Sequence, residues 1–256
     1  MKHFLLVALA FVLLPSFPKW SLAQSAASGL YQQANQAYGE GKFPEAIKTY
    51  EKILESGFTN GAVLYNLGNA YFKDNQLGRA ILFYERAKRL LPRDQDVAAN
   101  LALASQLTVD KIASEKTPRF MGVFTWPARS MSIAELTRVS FFLYIITAAL
   151  VLVTIWTRSH VARKRLLLAS FIAGVMLIIG VASLLGNIHG QQMVSWIIIL
   201  NPVSDARSGP GDEYTKIFTI HEGTKARIRQ QREGWYLISL PNGLAGWIPQ
   251  EIAEII

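Results

Sequence analysis

Two groups of side chains have spacing that could do chemistry, and in both the chemistry is recognition. Tyr31, Asn35, Tyr65, Asn66, Asn69, Lys73 and Asn100 fall within residues 24–110 at positions that can share one helical surface. Asparagine both donates and accepts, so such a row can clamp a peptide amide or a terminal carboxylate. The same asparagines can equally well bond neighbouring helices. Trp235 and Trp247 each follow a glycine, which sets an indole on a strand just after a turn. Core packing is the first reading of these tryptophans, and contact with an extended ligand the second.

Catalysis finds no comparable footing. There is no cysteine, and the four histidines, His3, His160, His189 and His221, show no metal-ligand spacing. His221, in a turn, reads as a solvated or hydrogen-bonding residue. No nucleophile elbow, HExxH or phosphate-binding loop occurs. The nearest acidic pair, Asp94 and Asp96, reads as first-turn charge of a helix. The expectation is a non-enzyme without metal or cofactor.

A hydrophobic fraction of 51% and a formal charge of +8 need placing. Residues 24–110 are neutral and 194–256 carry −1, while 111–193 carry +7. The positive charge therefore flanks apolar runs, which argues for membrane orientation and against a nucleic-acid surface. Val139–Thr157 and Leu166–Gly186 contain no charged residue and are long enough to cross a bilayer. Between them, residues 158–165 hold four Lys/Arg and no acid, which assigns this loop to the cytoplasm. Residues 1–23 have a basic start, an apolar run and small residues before Gln24, the layout of an export signal, with an uncleaved anchor as the alternative. Both assignments place the two termini outside the cytoplasm, at the bacterial inner membrane. Residues 111–138 form a basic juxtamembrane linker.

Residues 24–110 repeat with a period of 34. Leu64, Leu67, Gly68, Tyr71, Ala80, Tyr84, Ala87 and Pro92 fill the tetratricopeptide repeat (TPR) pattern, with a degenerate copy at Leu30, Gln33, Ala34, Ala37, Ala46, Tyr50, Ile53 and Phe58. Small Gly68 and Ala80 allow close helix approach. A helix through Val97, Leu101 and Leu103 is expected to cap the second repeat. The basic residues that usually accompany a carboxylate clamp are mostly missing.

From residue 194 to 256, short alternating runs are separated by Ser208-Gly209-Pro210-Gly211, Glu222-Gly223, Glu233-Gly234 and Pro241-Asn242-Gly243. This spacing predicts a small antiparallel barrel, and the order of motifs resembles bacterial SH3-like domains. The fold class expected is thus a multidomain membrane protein with α-helical TPR repeats, a two-helix transmembrane hairpin and a small all-β SH3-like barrel.

The stretch Leu64-Tyr65-Asn66-Leu67-Gly68-Asn69-Ala70-Tyr71-Phe72-Lys73, continuing through Ala80–Ala87 and Asp96–Leu101, resembles the BatE family, the TPR proteins of bacterial aerotolerance operons. The domain order is similar along nearly the whole chain. The resemblance implies a scaffold in an envelope complex with von Willebrand-A-domain membrane proteins and a MoxR-type AAA+ ATPase. The alternative is a wall sensor that binds peptidoglycan through the SH3-like domain and recruits a hydrolase through the repeats.

Overall fold

A computed structural model describes residues 19–111, 130–193 and 195–256. The chain divides into two compact units, one ending at Thr59 and one comprising Asn60–Ile256.

The first unit contains α1 (Lys19–Gly39) and α2 (Phe43–Glu55). Gly41, at φ 76°, makes the left-handed turn between them. Ala34, Ala37, Ala46, Tyr50 and Ile53 are buried, as the degenerate repeat requires. Of the expected export segment, residues 1–18 lie outside the described residues, and the boundary at 23/24 falls within α1.

The second unit begins with the complete repeat, α3 (Gly61–Lys73) and α4 (Leu77–Leu90), followed by α5 (Gln95–Leu107). Asn60 caps α3 by accepting from the Val63 N–H at 2.8 Å. Asp94 caps α5, accepting from the N–H groups of Asp96 and Val97 at 3.0 and 3.1 Å. Only Asp96 therefore sits in the first turn. A Cβ on Gly68 would lie 2.7 Å from the Tyr84 ring and 3.4 Å from the Ala80 carbonyl, which is why α3 and α4 approach so closely. On α5, Val97, Leu101 and Ala104 pack inward, whereas Leu103, expected to cover the repeat, is 48% exposed.

Helices α6 (Ile133–Trp156) and α7 (His160–Met193) form an antiparallel pair, each long and apolar enough to cross a membrane. Both exceed the apolar runs read from sequence. Ser132 and Glu135 form a reciprocal capping box, so α6 begins inside the expected 111–138 linker, of which residues 112–129 lie outside the described residues. The expected loop 158–165 is shorter, because α7 resumes at His160 and carries Arg163, Lys164 and Arg165 in its first turns. Small side chains form the seam, with Ser140 Oγ 3.0 Å from where a Cβ on Gly180 would stand. Phe141, Phe142, Ile155 and Trp156 point away from it.

Seven strands follow: β1 (Trp196–Ile199), β2 (Val203–Arg207), β3 (Lys216–His221), β4 (Lys225–Arg232), β5 (Trp235–Ser239), β6 (Ala245–Pro249) and β7 (Ala253–Ile255). They pair antiparallel in the order β3-β2-β6-β5-β4-β1-β7. Register shifts at Ala206/Arg207 and Ile228/Gln230 bend the sheet. Ile197, Ile199, Ile220, Ile238 and Ile248 form its core.

Gly68→Ala should destabilise the complete repeat by about 1–3 kcal/mol, since Tyr84 is fully packed and cannot yield. Hydrogen exchange of the α3 and α4 amides measures this. Gly29→Ala, in an open part of α1, should leave its own helix as stable or more so.

Candidate functional site

The repeat asparagines are drawn inward by buried tyrosines. Tyr84 is 1% exposed, and its hydroxyl donates to Asn69 Oδ1 at 2.8 Å. Asn100 Nδ2 donates to the same oxygen at 2.9 Å and to the Tyr65 hydroxyl at 2.9 Å. One polar cluster thereby joins α3, α4 and α5. In the first unit the Tyr50 hydroxyl donates to Asn35 Oδ1 at 2.5 Å, the same pairing 34 residues earlier. Tyr31 stacks edge-on against Tyr50 as Tyr65 leans on Tyr84, with centroids 6.1 and 6.0 Å apart. A buried hydroxyl without a partner costs about 1–3 kcal/mol, so these asparagines act first as internal cross-links. Asn66 is half-buried on α3 and Lys73 is exposed in its last turn.

The tryptophans are not core residues. Tyr236, Ile238 and Ile248 occupy the inner face, so strand alternation turns Trp235, Leu237 and Trp247 outward. Trp235 faces Pro249 and Leu237 faces Trp247 across β5 and β6. The result is a half-exposed aromatic strip. Beside it, Asp205, Arg207, Asp212 and Pro249 help line a depression of about 300 Å³. Arg207 braces its rim by donating to the carbonyls of Asp212 and Tyr214, both at 2.8 Å.

A third feature is an interface that joins the complete repeat to the sheet. Ile198 lies on the face opposite Ile197 and Ile199, yet it is 0% exposed because α4 packs over β1. Two glycines make this approach possible. A Cβ on Gly78 would stand 2.7 Å from the Ile199 carbonyl oxygen, and one on Gly223 would stand 2.7 Å from both Ile81 Cδ1 and Thr108 Cγ2. Gly223 is also left-handed, at φ 79°.

Polar contacts ring this seam. Asp110, just past α5, accepts from the Thr224 hydroxyl at 2.6 Å and the His221 N–H at 2.9 Å, and its Oδ1 lies 2.9 Å from His221 Nδ1. Glu222 accepts from the Gly78 N–H at 3.1 Å. Lys225 pairs with Glu85 at 2.8 Å and Arg86 with Glu254 at 2.8 Å. Arg86 and Arg89 also donate to the Ile255 and Ile256 backbone oxygens at 2.5 and 2.6 Å. Burial opposes ionisation of Asp110, but the bonds from Thr224 and His221 outweigh it and hold the carboxyl below its ordinary value of 3.8.

Sequence reading singled out none of these interface residues for a role between domains. One signal was present. Trp196-Ile197-Ile198-Ile199-Leu200 is apolar without alternation, the mark of a strand covered on both faces.

Residues 61–94 match the tetratricopeptide repeat and residues 204–251 the bacterial SH3 domain. No curated protein matches the chain. The matched segments are the two modules that meet at this interface.

Ile198→Asp should separate the modules while leaving the barrel folded, because Ile198 is outside the barrel core. Protease sensitivity of Lys111 and its neighbours should rise as melting of the barrel stays unchanged. Asp110→Ala should weaken docking by on the order of 3 kcal/mol, leaving three donors to find water. The sign of the pH effect follows from the lowered Asp110 pKa. Its contribution is complete above the ordinary aspartate range and is lost as pH falls through the lower folded value, so proteolytic opening should increase below that range, and the part of the increase due to Asp110 should be missing from Asp110→Ala.

Proposed function

We propose that this protein is a non-enzymatic, membrane-anchored scaffold of a bacterial envelope complex, with its repeat and SH3-like modules on the extracytoplasmic side. The observation that carries this reading is the joining of two recognition modules through one interface that leaves the aromatic strip of Trp235, Leu237, Trp247 and Pro249 uncovered. Two modules fixed together present two epitopes at high effective concentration, with little ordering cost on binding. The positive charges of Arg158, Arg163, Lys164 and Arg165 at the tight end of the hairpin support a cytoplasmic location for that end. The opposite end, from which both modules extend, then faces outward.

Within this reading the partners are proteins. The von Willebrand-A-domain membrane proteins, the MoxR-type ATPase and the aerotolerance role rest on the BatE resemblance alone. A wall sensor is favoured by a separate observation, the match of residues 204–251 to the bacterial SH3 domain. Its ligand would be an extended wall peptide on the aromatic strip.

Crosslinked recovery of full-length protein from native membranes, followed by mass spectrometry, tests the scaffold. Trp235→Ala/Trp247→Ala should reduce recovery of a strip-bound partner by roughly thirtyfold, the effect of losing about 2 kcal/mol at a hot spot, with barrel melting nearly unchanged. Enrichment of muropeptides without envelope proteins would replace the scaffold with the wall sensor. For topology, the chain has no native cysteine. A cysteine at Gln231 should label in intact cells, and one at Ser159 only after permeabilisation.

A further inference from the structure

We propose that the cleft between α4–α5 and the outer face of β4 binds the phosphate headgroup of an anionic phospholipid; this rests on the membrane-anchored reading above. The cleft has a volume of about 600 Å³, and its lining includes Lys88, Trp196, Arg227 and Arg229. The −1 charge of residues 194–256 conceals this concentration of cations. Lys225 and Arg227 alternate with inward Ala226 along β4 and so point to the same outer face, and Arg229, the extra residue at the register shift, reaches Ser239 on that face.

The acids lining the cleft are already engaged. Glu85 pairs with Lys225 at 2.8 Å, and Asp110 is held by Thr224 and His221. Among the described residues, Lys88, Arg227 and Arg229 have no ion-pair partner. Arg229 uses its Nε to reach Ser239 Oγ at 2.8 Å. Three uncompensated cations thus surround a cavity large enough for a glycerophosphate group.

Both walls of the cleft attach to the same end of the apolar hairpin. Trp196 follows Met193, the last residue of α7, by three positions. On the other wall, Arg93 after α4 pairs with Glu135 in the first turn of α6 at 2.5 Å. From Gly186, where the apolar run ends, the helix rises on the order of 10 Å to its last residue, against a headgroup layer of roughly 5–8 Å on each side, which sets Trp196 at the outer edge of the interface. Tryptophan at this level is the usual interfacial anchor, and Lys225 lies over its ring with Nζ 5.4 Å from the centroid. An acidic peptide would meet the same cations, but it would not require them to sit where the chain leaves the bilayer.

The test uses full-length protein reconstituted into nanodiscs of phosphatidylcholine alone, or of equal parts phosphatidylcholine and phosphatidylglycerol, with retained lipid read by native mass spectrometry. The wild type should retain phosphatidylglycerol preferentially. Arg227→Gln/Arg229→Gln should lose this preference by roughly fivefold per cation removed, and Arg227→Lys/Arg229→Lys should keep it. Should the glutamine variant fail to fold, the wild-type preference must still decline with added salt. Equal retention of both lipids by the wild type overturns the proposal while leaving membrane anchoring intact. Failure to enter neutral nanodiscs overturns the anchoring reading and the headgroup site with it. Binding of an alternating-aspartate peptide in neutral discs, lost in the glutamine variant whose lipid retention is unchanged, assigns the cleft to a peptide instead.

Discussion

The approach of α4 to β1 within a Cβ's breadth is the constraint on which the second unit depends. Gly78 and Gly223 are the two positions where backbone must come that close, and Gly223 must also be left-handed. Once the surfaces meet, Ile198 is removed from water, which is worth about 1.5–3 kcal/mol. The surrounding charges then find partners that neither module offers alone. Asp110 is the clearest case, since it is held on the sheet side by His221 at the end of β3 and by Thr224 in the turn that follows.

This docking decides which surfaces remain for function. It covers the outer face of β1, reaches β7 through Arg86, and leaves the outer face of β5 and β6 uncovered. The aromatic strip therefore lies on the same sheet as the docked helices but on different strands, and an occupant of one need not displace the other. The basic cleft lies between these regions, at Ser239 and Arg227, where the helices stop and the open sheet begins. The cleft and the docking seam share Glu85, Asp110, Thr224 and Lys225, whereas the aromatic strip draws on other residues of the same sheet.

Much of this organisation could be read from residue types. The 34-residue period located both repeats because Gly68, Ala80 and Tyr84 are fixed by a local packing problem that any such helix pair must solve. The turn glycines located the strands, and uncharged runs located the hairpin. Helix ends were less legible: Ser132 and Glu135 extend α6 backward through a capping box that hydrophobicity cannot register, and the basic run after Ser159 is helical despite its charge. The site residues divided along similar lines. Asn69 and Asn100 have the chemistry of a clamp, but the buried Tyr84 hydroxyl claims Asn69, and Asn100 is tied to Asn69 and to half-buried Tyr65. A preceding glycine makes core packing the first reading of Trp235 and Trp247, whereas alternation against Tyr236 and Ile248 turns them outward. The interface was hidden because its residues lie more than 100 positions apart in sequence and no local pattern links Asp110 to Thr224.

The central claim is that the complete repeat and the SH3-like barrel form one body. Its most direct test is a distance distribution between spin labels on single cysteines introduced at exposed Gln95 and Gln231, measured by double electron–electron resonance on full-length protein in nanodiscs. A single narrow distance that broadens with Ile198→Asp is the result predicted here. A broad distribution in the wild type, unchanged by that substitution, would show two modules tethered independently and contradict the account.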